Sequence, residues 1–222
     1  MGWSRRGSHG RRGYHHGNLR EALVEAALNL IGDKGPAGFT FADAARMAGV
    51  SSAAPYRHFR DRDQLLSDVA RRGFEQFTEA LDRAWDEGRP DPFAAYVRLG
   101  QAYLAFARRE PAYYSAMFEA GVPLDGAPGL RQAADAAFLV LRRASEMLCS
   151  MLAQDARPPS LMVSLHVWSL SHGVASLFAR ADAGRRKLPM TPEDLLEAAV
   201  LIYLRGLGLT RGGQKSRTGD RR

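Results

Sequence analysis

The stretch FTFADAARMAGVSSAAPYRHFRDRDQLL (residues 39–66) contains two short segments with helical patterning on either side of the sequence GVS. Thr40 predicts the start of the first helix, because its hydroxyl can accept a backbone N–H and Asp43 stands at the third position of an approximate capping box. Glycine adopts the left-handed conformation without steric penalty, so Gly49 predicts the turn that ends this helix. We therefore expect a helix over residues 41–48 with a second helix directly after it.

The second helix has two candidate N-caps, and Pro55 discriminates between them. With Ser52 as the N-cap, Pro55 is the third helical residue and lacks an N–H that would be unpaired in any case. With Ser51 as the N-cap, one intrahelical hydrogen bond is lost. The pattern favours Ser52 and a helix of about two turns, which cannot bury enough surface to be stable alone. Small and hydroxyl residues at its start suit close approach to base edges, so the pair predicts a helix-turn-helix whose second helix enters a major groove.

This stretch, with REALVEAALNLIGDKG before it, resembles the DNA-binding domain of the TetR family of bacterial transcription regulators. The family pattern is an amphipathic helix ending in Gly, then Thr, Ala, GVS, YxHF and a basic residue followed by apolar ones. The resemblance covers about residues 18–75 and is carried by Thr40, Ala45, Gly49, Val50, Ser51, Tyr56, His58, Phe59, Arg62 and Leu65. Pro55 departs from the pattern, because the family often has Leu or Ile there, and this leaves the start and tilt of the recognition helix open.

The resemblance implies that some of these residues contact phosphates and that others face bases. Phosphate contact is expected for Thr40, Tyr56, His58 and Arg62, and Arg57 is added as a neighbouring cation. Base contact is expected for Ser51, Ser52, Ala53 and Ala54. The alternatives are a core position for Tyr56 and a merely solvated side chain for Arg57. The two alanines carry little hydrogen-bonding information, so DNA shape can supply much of the specificity.

Positive charge is concentrated at the two ends of the chain. The formal net charge is +7, and the first 20 residues contain five arginines and no acidic residue. We expect disordered basic arms over residues 1–17 and 210–222, since such segments are too polar to pack and are attracted to phosphate. Arg11 and Arg12 are expected to follow the minor groove. The alternative is a solubilising role, with cloning residues in GSHG of the first arm.

The rest of the chain predicts helices separated by Pro and Gly, without a convincing strand pattern. The expected helices cover residues 18–33, 62–87, 92–109, 111–119, 129–153, 160–183 and 191–209. The predicted fold class is therefore all-α. It combines an N-terminal three-helix helix-turn-helix DNA-binding domain (residues 18–66) with a C-terminal helical ligand-binding and dimerisation domain (residues 67–209).

The last two predicted helices are apolar on more than one face. One face can pack on the body, and a second copy of the chain can cover the other as a two-fold homodimer suited to a palindromic operator. The residues expected at this interface are Leu165, Trp168, Leu196, Val200 and Tyr203. The sequence HVWSLSHGVASLF also resembles the W-x-x-x-H-G signature of one C-terminal subgroup of the family, with Gly173 expected at a close helix–helix approach.

Aromatic and sulfur-containing side chains of the body are candidates for an apolar effector pocket with a few polar groups. The candidates are Tyr103, Phe106, Tyr114, Met117, Phe118, Trp168 and His172. Ordinary core packing is the alternative for each of them. His166 and His172 point about 240° apart around one helix and cannot hold one metal ion, and we expect neither a metal nor a cofactor.

These observations predict a homodimeric transcription repressor that a small, largely apolar ligand releases from operator DNA. The alternatives are an all-α carrier or enzyme with a vestigial helix-turn-helix, or a protein that compacts DNA nonspecifically through its basic arms. The sequence has no run of about 18 apolar residues and no signal-like apolar segment near its start, so we expect a cytoplasmic location. The family resemblance implies a bacterial protein that is associated with the nucleoid when bound to DNA.

Overall fold

The computed structural model describes residues 19–125, 127–179 and 189–210, and these ranges contain helices and loops but no strand. This confirms the all-α fold class. The α-helices of the described residues are α1 (Leu19–Lys34), α2 (Phe41–Met47), α3 (Arg62–Trp85), α4 (Pro92–Arg109), α5 (Pro111–Phe118), α6 (Leu130–Ser150), α7 (Ser160–Ala179) and α8 (Pro192–Gly206). Short 3₁₀ helices cover Ala54–Arg57, Asp86–Gly88 and Gln154–Ala156. The first basic arm, with Arg11 and Arg12, and the second from residue 211 onward lie outside the described residues.

The N-terminal unit packs around one apolar face of α1. The buried residues of that face are Leu23, Val24, Ala26, Ala27, Leu30 and Ile31. The capping box predicted for α2 is confirmed: the Thr40 hydroxyl accepts the Asp43 N–H, and the Asp43 carboxylate accepts the Thr40 N–H at 2.9 Å. Gly49 has φ of +71°, and the N–H groups of Gly49 and Val50 donate to carbonyls in the last turn of α2. This is a Schellman motif, which only a residue tolerant of positive φ can complete.

The predicted two-turn recognition helix is wrong in both its length and its start. Its place is taken by the single 3₁₀ turn Ala54–Arg57, with Ala53 at the N-cap position and no side-chain cap. In an α-helix the backbone N–H of residue 55 would donate to the Ser51 carbonyl. Pro55 has no N–H, and the Ser51 carbonyl accepts the Ala54 N–H at 3.0 Å instead. Pro55 is buried. The proline therefore anchors the turn on the core and tightens it.

The long helix α3 joins the N-terminal unit to the body. It contacts α1, α4, α5 and α6, and it runs through the domain boundary expected near residue 66. Its apolar stripe is buried and consists of Phe74, Phe77, Leu81 and Trp85. The helix ends at Trp85, slightly before the predicted position, because Asp86 and Glu87 adopt positive φ angles of 44° and 52°.

The final helix α8 buries two residues that were predicted to lie at a dimer interface. Leu196 and Val200 are only 2% and 3% exposed. Leu196 lies over Gly100 of α4, where an added Cβ would come within 3.1 Å of its side chain. The prediction for these two residues is corrected: they belong to the core of the protomer. Thr191 caps the start of α8, since its hydroxyl accepts the Asp194 N–H at 3.1 Å.

Helix α7 packs on α4, α6 and α8 with one face and leaves an apolar face uncovered. Over Ser160–Phe178 it is long and apolar enough to cross a membrane by length and composition alone, with a mean hydropathy of 1.3, although 33% of that segment is buried inside the protein. Large exposed apolar residues on it are Leu161, Met162, Leu165 and Leu177. Ile202 of α8 is 70% exposed. The last two helices thus present apolar surface that the protomer does not cover.

Candidate DNA-binding surface and effector cavity

The segment of residues 51–58, here called the recognition segment, presents most of its predicted contact residues to solvent. Exposed residues within it are Ser51, Ser52, Ala53, Tyr56, Arg57 and His58, and Ala54 is half-buried. Pro55 within the segment and Phe59 just after it are buried and hold it against α1 and α2. The segment therefore combines a rigid apolar underside with a small, polar upper face.

Tyr56 is the most prominent side chain of this surface, with 63% of its area exposed. Its ring packs edge-on against Phe41 at 5.0 Å between centroids, which fixes its direction at low cost in side-chain entropy. Among the described residues no hydrogen-bond partner occurs for its hydroxyl. A fixed ring with a free hydroxyl is well suited to donate to a phosphate oxygen.

Thr40 is also exposed, but its hydroxyl serves the cap of α2. The Thr40 hydroxyl accepts the Asp43 N–H at 3.1 Å, and it donates to a carboxylate oxygen of Asp43 at 2.7 Å. These hydrogen bonds, with the basic Arg46 beside them, hold the pKa of Asp43 below its ordinary value. The phosphate contact expected for Thr40 would share an oxygen that already takes part in this cap.

Arg62 was predicted to contact phosphate, but the structure directs its guanidinium inward. Its Nε donates to the Phe39 carbonyl at 2.8 Å, and a terminal nitrogen donates to the Pro36 carbonyl. The guanidinium also lies 4.8 Å from the centre of the Phe39 ring. In this structure Arg62 binds the loop before α2 and positions it, and its phosphate contact stays a prediction.

A charged cluster at Asp68 connects α1 with α3. The Asp68 carboxylate, 7% exposed, receives Arg20 at 2.9 Å and Arg71 at 3.0 Å on one oxygen. Arg72 faces the other oxygen at 3.3 Å without hydrogen-bond geometry and also bonds Glu21. Burial raises the pKa of Asp68, but the hydrogen bonds from Arg20 and Arg71 outweigh it, so the pKa is lowered overall.

In the body, the structure brings the predicted pocket aromatics together into one cluster. Trp168 meets its neighbours edge-on at centroid distances of 5.6 to 6.2 Å. These neighbours are Phe77, Tyr103, Phe118 and Phe138. Phe106 packs on Phe77, and Met117 packs on Gly73 of α3. Trp168 was also predicted at the dimer interface, but its ring is directed into this cluster.

Two predicted tyrosines converge on the predicted histidine at the edge of this aromatic cluster. The hydroxyls of Tyr103 and Tyr114 lie 3.1 Å and 2.9 Å from the same atom, Nδ1 of His172. Burial raises the pKa of Tyr103 far above its ordinary value. Burial also raises the pKa of Tyr114, and its hydrogen bonds with Tyr103 and Ser176 offset this only in part. Both tyrosines are therefore neutral hydroxyl donors; we call these three residues the Tyr–His–Tyr site.

A cavity of about 330 Å³ lies one helical turn from this site. Its lining residues are Leu104, Ala107, Arg108, Pro111, Ala175, Phe178 and Pro192. Three of these lining residues share a helix with a member of the Tyr–His–Tyr site. Ala107 follows Tyr103, Pro111 precedes Tyr114 and Ala175 follows His172, each by three or four residues or about one helical turn. Arg108 bonds Glu193 at the edge of the cavity.

Sequence reasoning found the polar site but missed the walls of the cavity. Small residues, prolines and a leucine line it, and such residues have no pattern that separates a cavity wall from ordinary core. Phe77 and Phe138 were likewise not predicted as part of the aromatic cluster. Helical periodicity places each residue on a face of its own helix, but a cavity depends on which faces of different helices meet.

The architecture defines a class of protein, in which a small helix-turn-helix unit is carried by an all-helical body with a partly open cavity. Residues 23–69 match the family profile described as bacterial regulatory proteins, tetR family. Residues 96–203 match the profile described as tetracyclin repressor-like, C-terminal domain. The chain belongs to the TetR family, whose members are DNA-binding transcriptional regulators.

Individual relatives agree with this assignment. The HTH-type transcriptional regulator BetI from Rhizobium meliloti (strain 1021) is 49% identical over 47 residues, which are 21% of this chain and 23% of BetI. The HTH-type transcriptional regulator Rv1816 from Mycobacterium tuberculosis is 28% identical over 116 residues, 52% of this chain and 50% of the relative. The chain thus spans half or less of these curated relatives.

A solved structure matches almost the whole fold. It is a protein with unknown function from Rhodococcus sp. RHA1, 29% identical, with a TM-score of 0.72. The alignment covers 88% of this chain and 98% of that one. The likeness therefore extends over both the helix-turn-helix unit and the helical body.

Proposed function

We propose that this protein is a homodimeric transcriptional repressor that binds a palindromic operator and is released from it by a small, largely apolar effector. The observation that carries the proposal is the recognition segment, whose exposed small and polar face stands on a buried apolar underside. In it Ser51, Ser52 and Ala53 face base edges, and Tyr56, Arg57 and His58 contact flanking phosphates. Arg11 and Arg12 follow the minor groove.

The exposed apolar surface of α7 and α8 supports the dimer. Leu161, Leu165, Ser169, Gly173 and Leu177 recur every four residues and form one stripe along α7. Apart from the adjacent residues and the backbone of α7 itself, no described heavy atom lies within 4 Å of a Cβ added at Gly173, so space remains there for a second helix to approach. Tyr203, whose hydroxyl lies 2.9 Å from Nδ1 of His166, stands at the edge of this surface.

The resemblance to the W-x-x-x-H-G subgroup has a physical counterpart in this chain. Trp168 fills the centre of the aromatic cluster, and His172, one turn later, reaches Tyr103 and Tyr114. Gly173 stands on the uncovered side of the same helix. We propose that the signature combines a pocket tryptophan and a pocket histidine with a glycine at the dimer contact.

The fold also suggests how an effector acts on DNA binding. Helix α3 carries Phe77 of the aromatic cluster, and its first turns hold the Asp68 cluster beside α1. An effector that binds better to one tilt of α3 shifts the spacing of the two recognition segments by its differential affinity. In this role the protein acts in the bacterial cytoplasm and at the nucleoid and performs no enzymatic reaction.

The first test is binding of the purified protein to the DNA that flanks its own coding region, at physiological salt, with an unrelated fragment of equal length as competitor. A preference of about a thousandfold or more, with two protomers per site, is the expected result. Equal affinity for both fragments would instead favour nonspecific compaction by the basic arms. Failure to bind either fragment would favour the carrier or enzyme.

A further inference from the structure

The front of the recognition segment is a tight turn with two small residues at its corner. The Ser51 carbonyl accepts the Ala54 N–H at 3.0 Å, which closes the turn. Its central residues are Ser52 and Ala53, and both are exposed. Ala53 has φ of −85° and ψ of −21°, in the range of the third residue of a type I turn. Since Pro55 directly after the turn is buried, the turn is fixed from behind and carries its two small side chains on the solvent side.

The side chains of this turn differ in what they can distinguish on DNA. In the major groove every base pair presents hydrogen-bonding groups, but the C5-methyl of thymine is the one apolar group. The hydroxyls of Ser51 and Ser52 have no hydrogen-bond partner among the described residues, and a hydroxyl can either donate or accept, so serine discriminates little between bases. Ala53 has only a methyl group, which complements the methyl of thymine and no other base edge.

A contact by Ala53 requires the backbone to come close to the base edges, because its Cβ is bonded directly to the backbone. Apolar groups are in contact at about 4 Å, so the turn itself must enter the groove. Residues 51–54 allow this, since none of them is larger than serine. The longer side chains that follow, Tyr56, Arg57 and His58, are exposed and can reach flanking phosphates. The segment thus suits direct contact at its corner and phosphate contact beyond it.

We propose that Ala53 is a specificity-determining residue that recognises a thymine in each operator half-site through the C5-methyl group of that base. The contact requires the recognition segment to enter a major groove and so rests on the proposed function. Because the protomers of the proposed dimer are related by a two-fold axis, the recognised thymines form a symmetry-related pair.

The test replaces thymine by uracil in the operator, which removes the methyl group and leaves base pairing unchanged. The operator is the preferred fragment of the flanking DNA, trimmed to the bases that the wild-type protein protects in a footprint. Fluorescence anisotropy at fixed salt measures the affinity with each thymine replaced in turn. We expect one symmetry-related pair at which uracil lowers the affinity about fourfold per half-site and about fifteenfold when both are replaced, as burial of one methyl group per half-site allows.

Matched variants separate the methyl contact from a change in DNA shape. Ala53→Gly removes the methyl group of the protein and should bind the thymine and uracil operators equally. Ala54→Gly makes the same change at the neighbouring, half-buried position and should keep the preference for thymine. The readout is the ratio of the two affinities, so a general loss of binding from the greater freedom of glycine cancels. If Ala53→Gly binds too weakly at physiological salt, the ratio is measured at lower salt, where phosphate contacts are stronger.

Three outcomes would overturn the proposal. Unchanged affinity with uracil at every thymine would exclude recognition of a thymine methyl. A uracil effect that persists in Ala53→Gly would come from DNA shape. A preference that Ala54→Gly removes as completely as Ala53→Gly would indicate a structural effect on the turn. Binding of the unmodified operator by the wild-type protein is measured first and tests the proposed function separately, and absence of any sequence preference there would refute both.

Discussion

At the scale of single residues, the N-terminal unit depends on backbone conformation as much as on side chains. Gly49 completes the turn after α2 with φ of +71°, and Pro55 shortens the segment that follows. Tyr56 stands beyond this turn as an exposed ring with a free hydroxyl among the described residues. Each of these features has a measurable consequence.

Tyr56→Phe removes the hydroxyl and keeps the ring packed against Phe41. We expect a loss of operator affinity of about fivefold, corresponding to roughly 1 kcal/mol for one hydrogen bond. The loss should be equal for all operator sequences, because a phosphate contact carries no base information. Fluorescence anisotropy with several operator variants measures it, and Tyr96→Phe serves as the control. Unchanged affinity would remove Tyr56 from the DNA contacts, and loss at some sequences only would make it a base-reading residue.

Substitution by alanine should change the free energy of unfolding in opposite directions at Gly32 and Gly49. Gly49→Ala places a Cβ on a residue with positive φ, and we expect the free energy of unfolding to fall by about 1 kcal/mol. Gly32→Ala lies within α1, where no described heavy atom outside the adjacent helix backbone comes within 4 Å of the added Cβ, and it should raise stability by about 0.5 to 1 kcal/mol. Urea denaturation followed by circular dichroism compares the two variants. A stability change of the same sign in both would contradict this explanation.

At the scale of helices, some ends follow from local chemistry and others do not. The starts of α2 and α8 were predicted correctly, because Thr40 and Thr191 bring their own cap acceptors. The start of the recognition segment was predicted wrongly, because the choice of cap residue assumed an α-helix. Pro55 is instead buried, and only one 3₁₀ turn forms. The end of α3 is set by two non-glycine residues with positive φ, which no residue preference indicates.

The contact between α1 and α3 should make stability depend on pH through Asp68. The folded-state pKa of this carboxyl is lowered, so its contribution is present above the unfolded-state pKa of about 3.9 and is lost as the pH falls through the lower folded value. Asp68→Asn should cost about 2 kcal/mol at pH 7, because three arginines lose their common anion. The difference from wild type should shrink below about pH 4. Thermal unfolding of both proteins between pH 7 and pH 3 measures it, and a constant difference would exclude the charge as its source.

At the scale of the whole molecule, the sequence predicted two domains and the apolar character of α7 and α8. It did not predict which face of each helix is buried in the protomer and which is exposed. Leu165 is 48% exposed, whereas Leu196 and Val200 are buried in the protomer. All three fit an apolar helical pattern equally well. Which face meets the body depends on contacts with α4 and α6, which are distant in sequence. The same holds for the cavity walls, while the aromatic and histidine residues of the polar site were predictable from their chemistry.

The proposed dimer can be tested on the exposed face alone. Leu165→Arg/Ile202→Arg places two charges on surface that the protomer leaves uncovered, so the fold should remain intact. We expect the variant to sediment as a monomer in analytical ultracentrifugation, where the wild type sediments as a dimer, and to lose most of its operator affinity. The matched control is Leu139→Arg, at an exposed position of similar character on α6. A dimeric double variant would place the interface elsewhere.

The inward-directed guanidinium of Arg62 bears on what the proposed effector could change. Because Arg62, the first residue of α3, binds the loop before α2, we expect a tilt of α3 to carry α2 and the recognition segment with it. The base preferences of each half-site should then be the same with and without effector, while the preferred distance between half-sites changes. Operators with one or two base pairs inserted at their centre are therefore expected to resist release.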